Sequence, residues 1–205
     1  VSGLDAGIRR LSELNMGLAA LLLSFVVVLG PTTYLLTSFF DNIGAYLAYL
    51  PRGSFALPTF VSAQEQQWLG SWTIFYWAWW IAWAPFVGMF IARVSKGRTI
   101  REFLAGVLLA PTLAGFAWLT IFGNTALYEE LHGAGGISVA VSKSLPTAIF
   151  ILLERYPLAS ASGLICTICI VLFFVTSSDS ASLVVDTIAS GGKENPPVAQ
   201  RVFWA

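Results

Sequence analysis

The residues with the most chemical potential lie in one aromatic run, Phe75-Tyr76-Trp77-Ala78-Trp79-Trp80-Ile81-Ala82-Trp83-Ala84-Pro85-Phe86. At about 100° per residue in a helix, Tyr76, Trp77, Trp80 and Trp83 share an arc of about 120°, with Trp79 turned away. Trp80 and Trp83 fall about 12 to 15 residues into an apolar segment that starts near Trp68, which places them roughly 18 to 22 Å along its axis. That depth is near a bilayer centre, whereas Trp68 and Trp72 fall where interfacial tryptophans are ordinary. Buried indole N–H groups need partners, so four large rings on one face are poor packing economy. They suit a cation that has no N–H to donate. A trimethylammonium group spreads its charge over methyls, and desolvated ring faces attract it by about 2 kcal/mol each. Hydrated alkali cations would lose too much water to enter such a box. From the physics of the residues alone, plain packing and a cation cage both stay open.

A second group is polar. Thr176, Ser177, Ser178, Asp179, Ser180 and Ser182 directly follow the apolar stretch Ile170 to Val175. Hydroxyls in a helix often bond back to their own backbone and prove little. A carboxylate inside a membrane costs about 2.5 to 3.5 kcal/mol and asks for a reason. Asp179 is either a proton site or a structural carboxylate, with the structural role preferred. Cys166 and Cys169 are spaced Cys-x-x-Cys but lie in an apolar run without a second pair, and are expected to be packing thiols. Glu129, Glu130 and His132 have metal-ligand chemistry but no fourth partner nearby, and read as a lid or surface feature. No His-Glu-x-x-His or Gly-x-Ser-x-Gly motif occurs, so nothing points to an enzyme.

The elements that must position these groups are membrane helices. Of 205 residues, 57% are hydrophobic and 11% charged, about half the usual charged share. Runs of about 20 apolar residues are long enough to span, and they predict helices over 15–39, 68–92, 103–127 and 160–189. The first is kinked at Gly30-Pro31 and the third interrupted at Pro111. Residues 41–50 read as a short interfacial helix, and 138–156 as a re-entrant or surface hairpin too short to cross. One side of this arrangement receives Arg9, Arg10, Arg93, Lys96, Arg98, Arg101, Lys193 and Arg201. The other receives Arg52, Lys143 and Arg155, which together account for all 11 basic residues. The positive-inside rule makes the richer side cytoplasmic. A net charge of zero gives no electrostatic support for a nucleic-acid partner.

The stretch WTIFYWAWWIAWAPFVGMFIARVSKGRTIREF resembles the signature of the betaine/choline/carnitine transporter family. The similarity runs through GIRRLSELNMGLAALLL, IFGNTALYEELHG and FFVTSSDSASLVVDTIASGG, the last two being most similar to the choline-importing branch. The resemblance implies an all-α, multi-pass protein of the cytoplasmic membrane. The family has twelve transmembrane helices, ten of them in two inverted repeats of the leucine-transporter type. This chain would be a fragment supplying the seventh to the tenth. It implies secondary active transport of a quaternary ammonium compound, choline first and glycine betaine second. A sensor that binds such a cation without moving it is the alternative. By motif position, Trp80 is the best match to a cage wall, Trp79 and Trp83 match substrate-pathway tryptophans, and Trp77 is a weaker match. Thr176 and Ser177 match the hydroxyl pair that ligates sodium in sodium-coupled members, and Phe86 matches a second sodium-site position. Choline importers are commonly proton-driven, so the coupling ion stays open between Na+ and H+, and no other cofactor is implied. The expected partners are the substrate and the bilayer, with a homo-oligomer left open.

Overall fold

The apolar runs become helices, and a few backbone-specific residues decide where each one stops. The structure is a computed structural model and describes residues 2–55, 61–193 and 197–204. Among the described residues there is no strand.

Helix α1 (Ser2–Leu29) ends at Gly30-Pro31. Proline lacks the N–H a helix needs and biases the residue before it away from helical backbone. Gly30 N–H donates to the Val26 carbonyl at 2.8 Å, and the Thr32 hydroxyl donates to the Val27 carbonyl at 2.6 Å, so the end is well capped. A Cβ at residue 30 would stand 2.5 Å from the Val26 oxygen, which leaves room only for glycine. The membrane-length part is therefore Arg9–Leu29, not 15–39. Helix α2 (Thr32–Ser54) starts directly after the break and takes in the whole of 41–50. The expected interfacial helix is the middle of a longer element, because its apolar spacing continues on both sides.

Helix α3 (Ala63–Leu69), a π-helical turn (Gly70–Ile74) and α4 (Phe75–Val94) follow one another as one apolar rod, Ala63–Arg93. It begins at a capping box: Glu65 N–H donates to Ser62 Oγ, and Ser62 N–H donates to the Glu65 carboxylate at 2.8 Å. Helix α5 (Ile100–Trp118), a second π turn (Leu119–Asn124) and α6 (Thr125–His132) form the next rod, Ile100–His132. Thr99 and Glu102 cap its start reciprocally. Pro111 lies inside α5 without ending it, as membrane helices tolerate. The connection then folds into α7 (Ile137–Lys143), a 3₁₀ turn (Leu145–Thr147) and α8 (Ala148–Leu153). Helix α9 (Ala159–Ala189) is the fourth apolar rod and α10 (Val198–Trp204) follows it.

The chain divides into two compact units. The first comprises Val1–Ala48 and Leu104–Ser177. Its core joins Leu22 and Val26 of α1 to Phe122 of the second π turn, Leu152 and Leu153 of α8, and Cys166 and Cys169 of α9. Both thiols are free and buried, as their apolar surroundings predict. Asn42 Nδ2 of α2 donates to the buried Thr120 hydroxyl at 2.9 Å, and Tyr46 packs edge-on against Phe116 at 5.2 Å. The Glu130 carboxylate accepts from Ile137 N–H at 2.7 Å, Ser138 N–H at 3.3 Å and the Ser138 hydroxyl at 2.6 Å. Tyr156 is part of the same core, and burial, reinforced by the nearby Glu129 carboxylate, pushes its phenol up to about 12.

The second unit comprises Tyr49–Phe103 and Ser178–Ala205. The turn after α4 is closed by Gly97 at φ 87° and by Arg98 N–H donating to Ser95 O at 3.1 Å. Arg93 Nη1 reaches Thr187 Oγ1 of α9 at 3.4 Å. Ser182 Oγ donates to the Trp204 carbonyl at 3.0 Å, and Gln200 Nε2 to the Asp186 carbonyl at 3.3 Å. Along α9, the hydroxyls of Ser162, Thr167, Thr176 and Thr187 each donate to the carbonyl four positions earlier on their own helix or its N-terminal edge, with Thr167, Thr176 and Thr187 at 2.8 to 2.9 Å.

Candidate functional site

Aromatic side chains of the π turn and α4 form a ladder from Trp72 to Trp80 and a separate pair, Trp83 with Phe86. Trp72 stacks on Tyr76 with centroids 6.0 Å apart and planes 8° from parallel. Tyr76 meets Trp79 at 5.7 Å, and Trp79 meets Trp80 at 6.5 Å. Phe75 contacts both Tyr76 and Trp79. Below them Trp83 packs edge-on with Phe86 at 5.4 Å. Trp79 thus lies within the ladder, contrary to the arc that turned it away. It sits three residues from Tyr76 and four from Phe75, which are the spacings that meet on a helix surface. Trp77 is the outlier: no ring contact joins it among the described residues, and it is 68% exposed.

Within this chain the rings are largely uncovered. Trp80 is 67% exposed, and Trp79 and Trp83 are about half exposed. Along the rod Ala63–Arg93, Trp80 lies roughly 25 Å from one end and 20 Å from the other at 1.5 Å per residue. A cation held there would be far from water on either side, where ring quadrupoles act at full strength.

The polar run of α9 has a different character. Thr176 donates its hydroxyl proton to the Leu172 carbonyl at 2.9 Å. A hydroxyl oxygen is the type of donor that a hard cation takes. Ser177 beside it is exposed and Asp179 half-buried. Phe86 presents its ring to Trp83, so the contact seen for it is aromatic. Among the described residues, no group of three His, Cys, Asp or Glu side chains is placed to hold a metal ion. Glu130 is occupied by the backbone of α7, and His132 packs on Tyr128 at 5.0 Å, which accounts for two of the three outer-loop candidates.

Asp186 was not singled out by the sequence. It is 1% exposed, the most buried carboxylate among the described residues of the second unit. The pattern Leu-Val-Val-Asp offered a signal, an acid directly after three apolar residues in an apolar helix. The Ser-rich run ahead of it drew attention to Asp179 instead.

The sequence model describing the betaine/carnitine/choline transporter family (BCCT) matches residues 1–205. The chain belongs to this family. Among curated BCCT relatives, a glycine betaine/proline/choline transporter of Vibrio parahaemolyticus is 48% identical over 100% of this chain and 36% of its own length. The glycine betaine transporter OpuD of Bacillus subtilis is 47% identical, covering 99% of this chain and 39% of the relative. The ectoine/glycine betaine/proline transporter EctP of Corynebacterium glutamicum is 42% identical, covering 100% and 33%. The chain spans about a third of the length of these curated relatives. BCCT membership and four apolar rods of membrane length make it an all-α, multi-pass membrane protein.

Proposed function

We propose that the complete protein moves a quaternary ammonium compound across the cytoplasmic membrane by secondary active transport and performs no covalent chemistry on it. The observation that carries this reading is the exposed aromatic ladder of α4, with Trp80 midway along a membrane-length rod. Choline is the first substrate to test, on the resemblance of the sequence to choline importers. Glycine betaine is the second, since the names of all three relatives above carry it. Trp79, Trp80 and Trp83 contact the cation in this reading, and Trp77 contributes least.

Thr176 and Ser177 are the proposed ion ligands, with hydroxyl oxygens suited to sodium and Asp179 as a structural carboxylate. A proton-driven cycle would leave the same hydroxyls without a bound metal. The end of α4 with Arg93 and Lys96 faces the cytoplasm by the distribution of basic residues. Uptake of labelled choline and betaine by the complete protein in sealed vesicles tests the reading, with the sodium and proton gradients imposed one at a time. Uptake under one gradient that collapses with it supports transport. Saturable binding with no uptake under either gradient would replace transport by sensing.

A further inference from the structure

The rod made by α5, the second π turn and α6 carries three soft features in one place. The π turn (Leu119–Asn124) closes its hydrogen bonds one residue later than an α turn, and such turns are where helices kink. Gly123 lies within it, and beyond its own stretch of helix nothing comes within 4 Å of the Cβ that an alanine would add. Within this chain no close neighbour asks for glycine there, and glycine in a helix costs stability relative to alanine. Directly after the turn, the buried Thr125 hydroxyl donates to the Ile121 carbonyl, a bond that tends to bend a helix.

Helix α2 grips the rod at three points around this place. Before the turn, Tyr46 meets Phe116 at 5.2 Å. Inside it, Asn42 Nδ2 donates to Thr120 Oγ1 at 2.9 Å. Beyond it, Tyr34 meets Tyr128 at 5.3 Å. The partners keep step, since four and then eight residues back along α2 match four and then eight forward along the rod. The two helices therefore run antiparallel in one register across the whole π turn. Ordinary packing accounts for rings that touch. It does not account for a grip on each side of a weakened turn with a hydrogen bond inside it.

We propose that the second π turn is a joint in the α5–α6 rod and that α2 is the splint that holds it. Bending at the joint requires α2 to release at least one grip. The Asn42–Thr120 bond is the polar grip, placed within the turn that would bend. The inference goes beyond the transport reading and does not depend on which compound is carried.

The test is amide hydrogen exchange in the complete protein, held in lipid nanodiscs without substrate. Asn42→Ala should speed exchange of residues 119–128 roughly threefold, the equivalent of one typical contact between membrane helices, and leave residues 104–110 unchanged. Thr120→Val should do the same, whereas Thr120→Ser keeps the hydroxyl and should exchange as wild type does. Unchanged exchange at 119–128 in both Asn42→Ala and Thr120→Val would remove the splint. Equal acceleration of 104–110 would mean general loosening and overturn it as well. Gly123→Ala tests the joint itself. It should slow exchange at 119–128 and lower the rate of choline uptake at least threefold, with choline binding within about twofold of wild type. Gly106→Ala and Gly115→Ala add a methyl at open positions in the α turns of the same rod and should leave uptake unchanged. Lower thermal stability of Gly123→Ala would show that the glycine admits a close neighbour, and equal loss of uptake in all three variants would show nothing special about the turn. Either result overturns the joint. Exchange is read without substrate, so a protein that takes up neither choline nor betaine would defeat transport and leave exchange to judge joint and splint.

Discussion

A single ring is the smallest unit on which the transport reading can be tested. Trp80 presents an exposed indole midway along a membrane-length helix. If it is a cage wall, Trp80→Ala in the complete protein should weaken choline binding roughly 30-fold, as about 2 kcal/mol of cation–π attraction disappears. Trp80→Phe keeps a ring face with a weaker quadrupole and should lose less. Trp68→Ala, at the start of the rod and outside the ring contacts described above, should change little. Binding of a neutral carbon isostere as tight as that of choline would show the rings to be packing. Thr176 is the second test at this scale. Its proton is held by Leu172 O, so Thr176→Ala should leave the helix intact and flatten the response of uptake to the coupling ion, while Thr176→Ser should restore it. Wild-type ion response in the Ala variant would remove Thr176 from the ion site. At this scale the sequence was informative about ring type and position along the helix, since both follow from identity and counting. It was less informative about Trp79, which the arc left out although at 100° per residue it lies only about 40° beyond Trp83. An indole reaches the rings three and four residues away, and the ring contacts follow that reach.

Among the elements, existence was easier to read than ends. Four apolar runs gave four rods, yet the first helix stops at Leu29 and a new one starts at Thr32. Hydropathy runs unbroken through Gly30-Pro31, so a window average cannot see a stop that depends on one missing N–H and one missing Cβ. The two π turns were not legible either, because adding one residue to a helical turn leaves hydropathy and composition unchanged. The second of them holds Thr120, which accepts from Asn42 across to α2 at 2.9 Å. A double-mutant cycle of Asn42→Ala and Thr120→Val, read by thermal unfolding in lipid, should give a coupling of about 0.6 kcal/mol, as is typical between membrane helices. Strict additivity of the two changes would mean that the contact does not hold α2 in place. Pro111 taught the opposite lesson from Pro31: it lies within α5 without breaking it, since packing neighbours can replace one lost bond in a membrane helix.

For the whole molecule, topology is argued from where the basic residues fall. Eight of the 11 basic residues fall on the side of Lys96 under the four-crossing arrangement. Cysteine introduced at position 96 should therefore label only from the cytoplasm, and cysteine at 143 only from outside. Cys166 and Cys169 are buried and should stay silent in that experiment. Labelling of both introduced sites from one face would break the arrangement. In the transport reading the helices must also move, and α9 bears on how they do so. The protons of Ser162, Thr167, Thr176 and Thr187 all stay on local carbonyls. Sliding or rolling α9 past a neighbour therefore does not require those protons to change partner. In mechanical terms the helix is a shaft whose threonine protons turn with it, tethered at one end where Thr187 accepts from Arg93 and Ser182 donates to the Trp204 carbonyl.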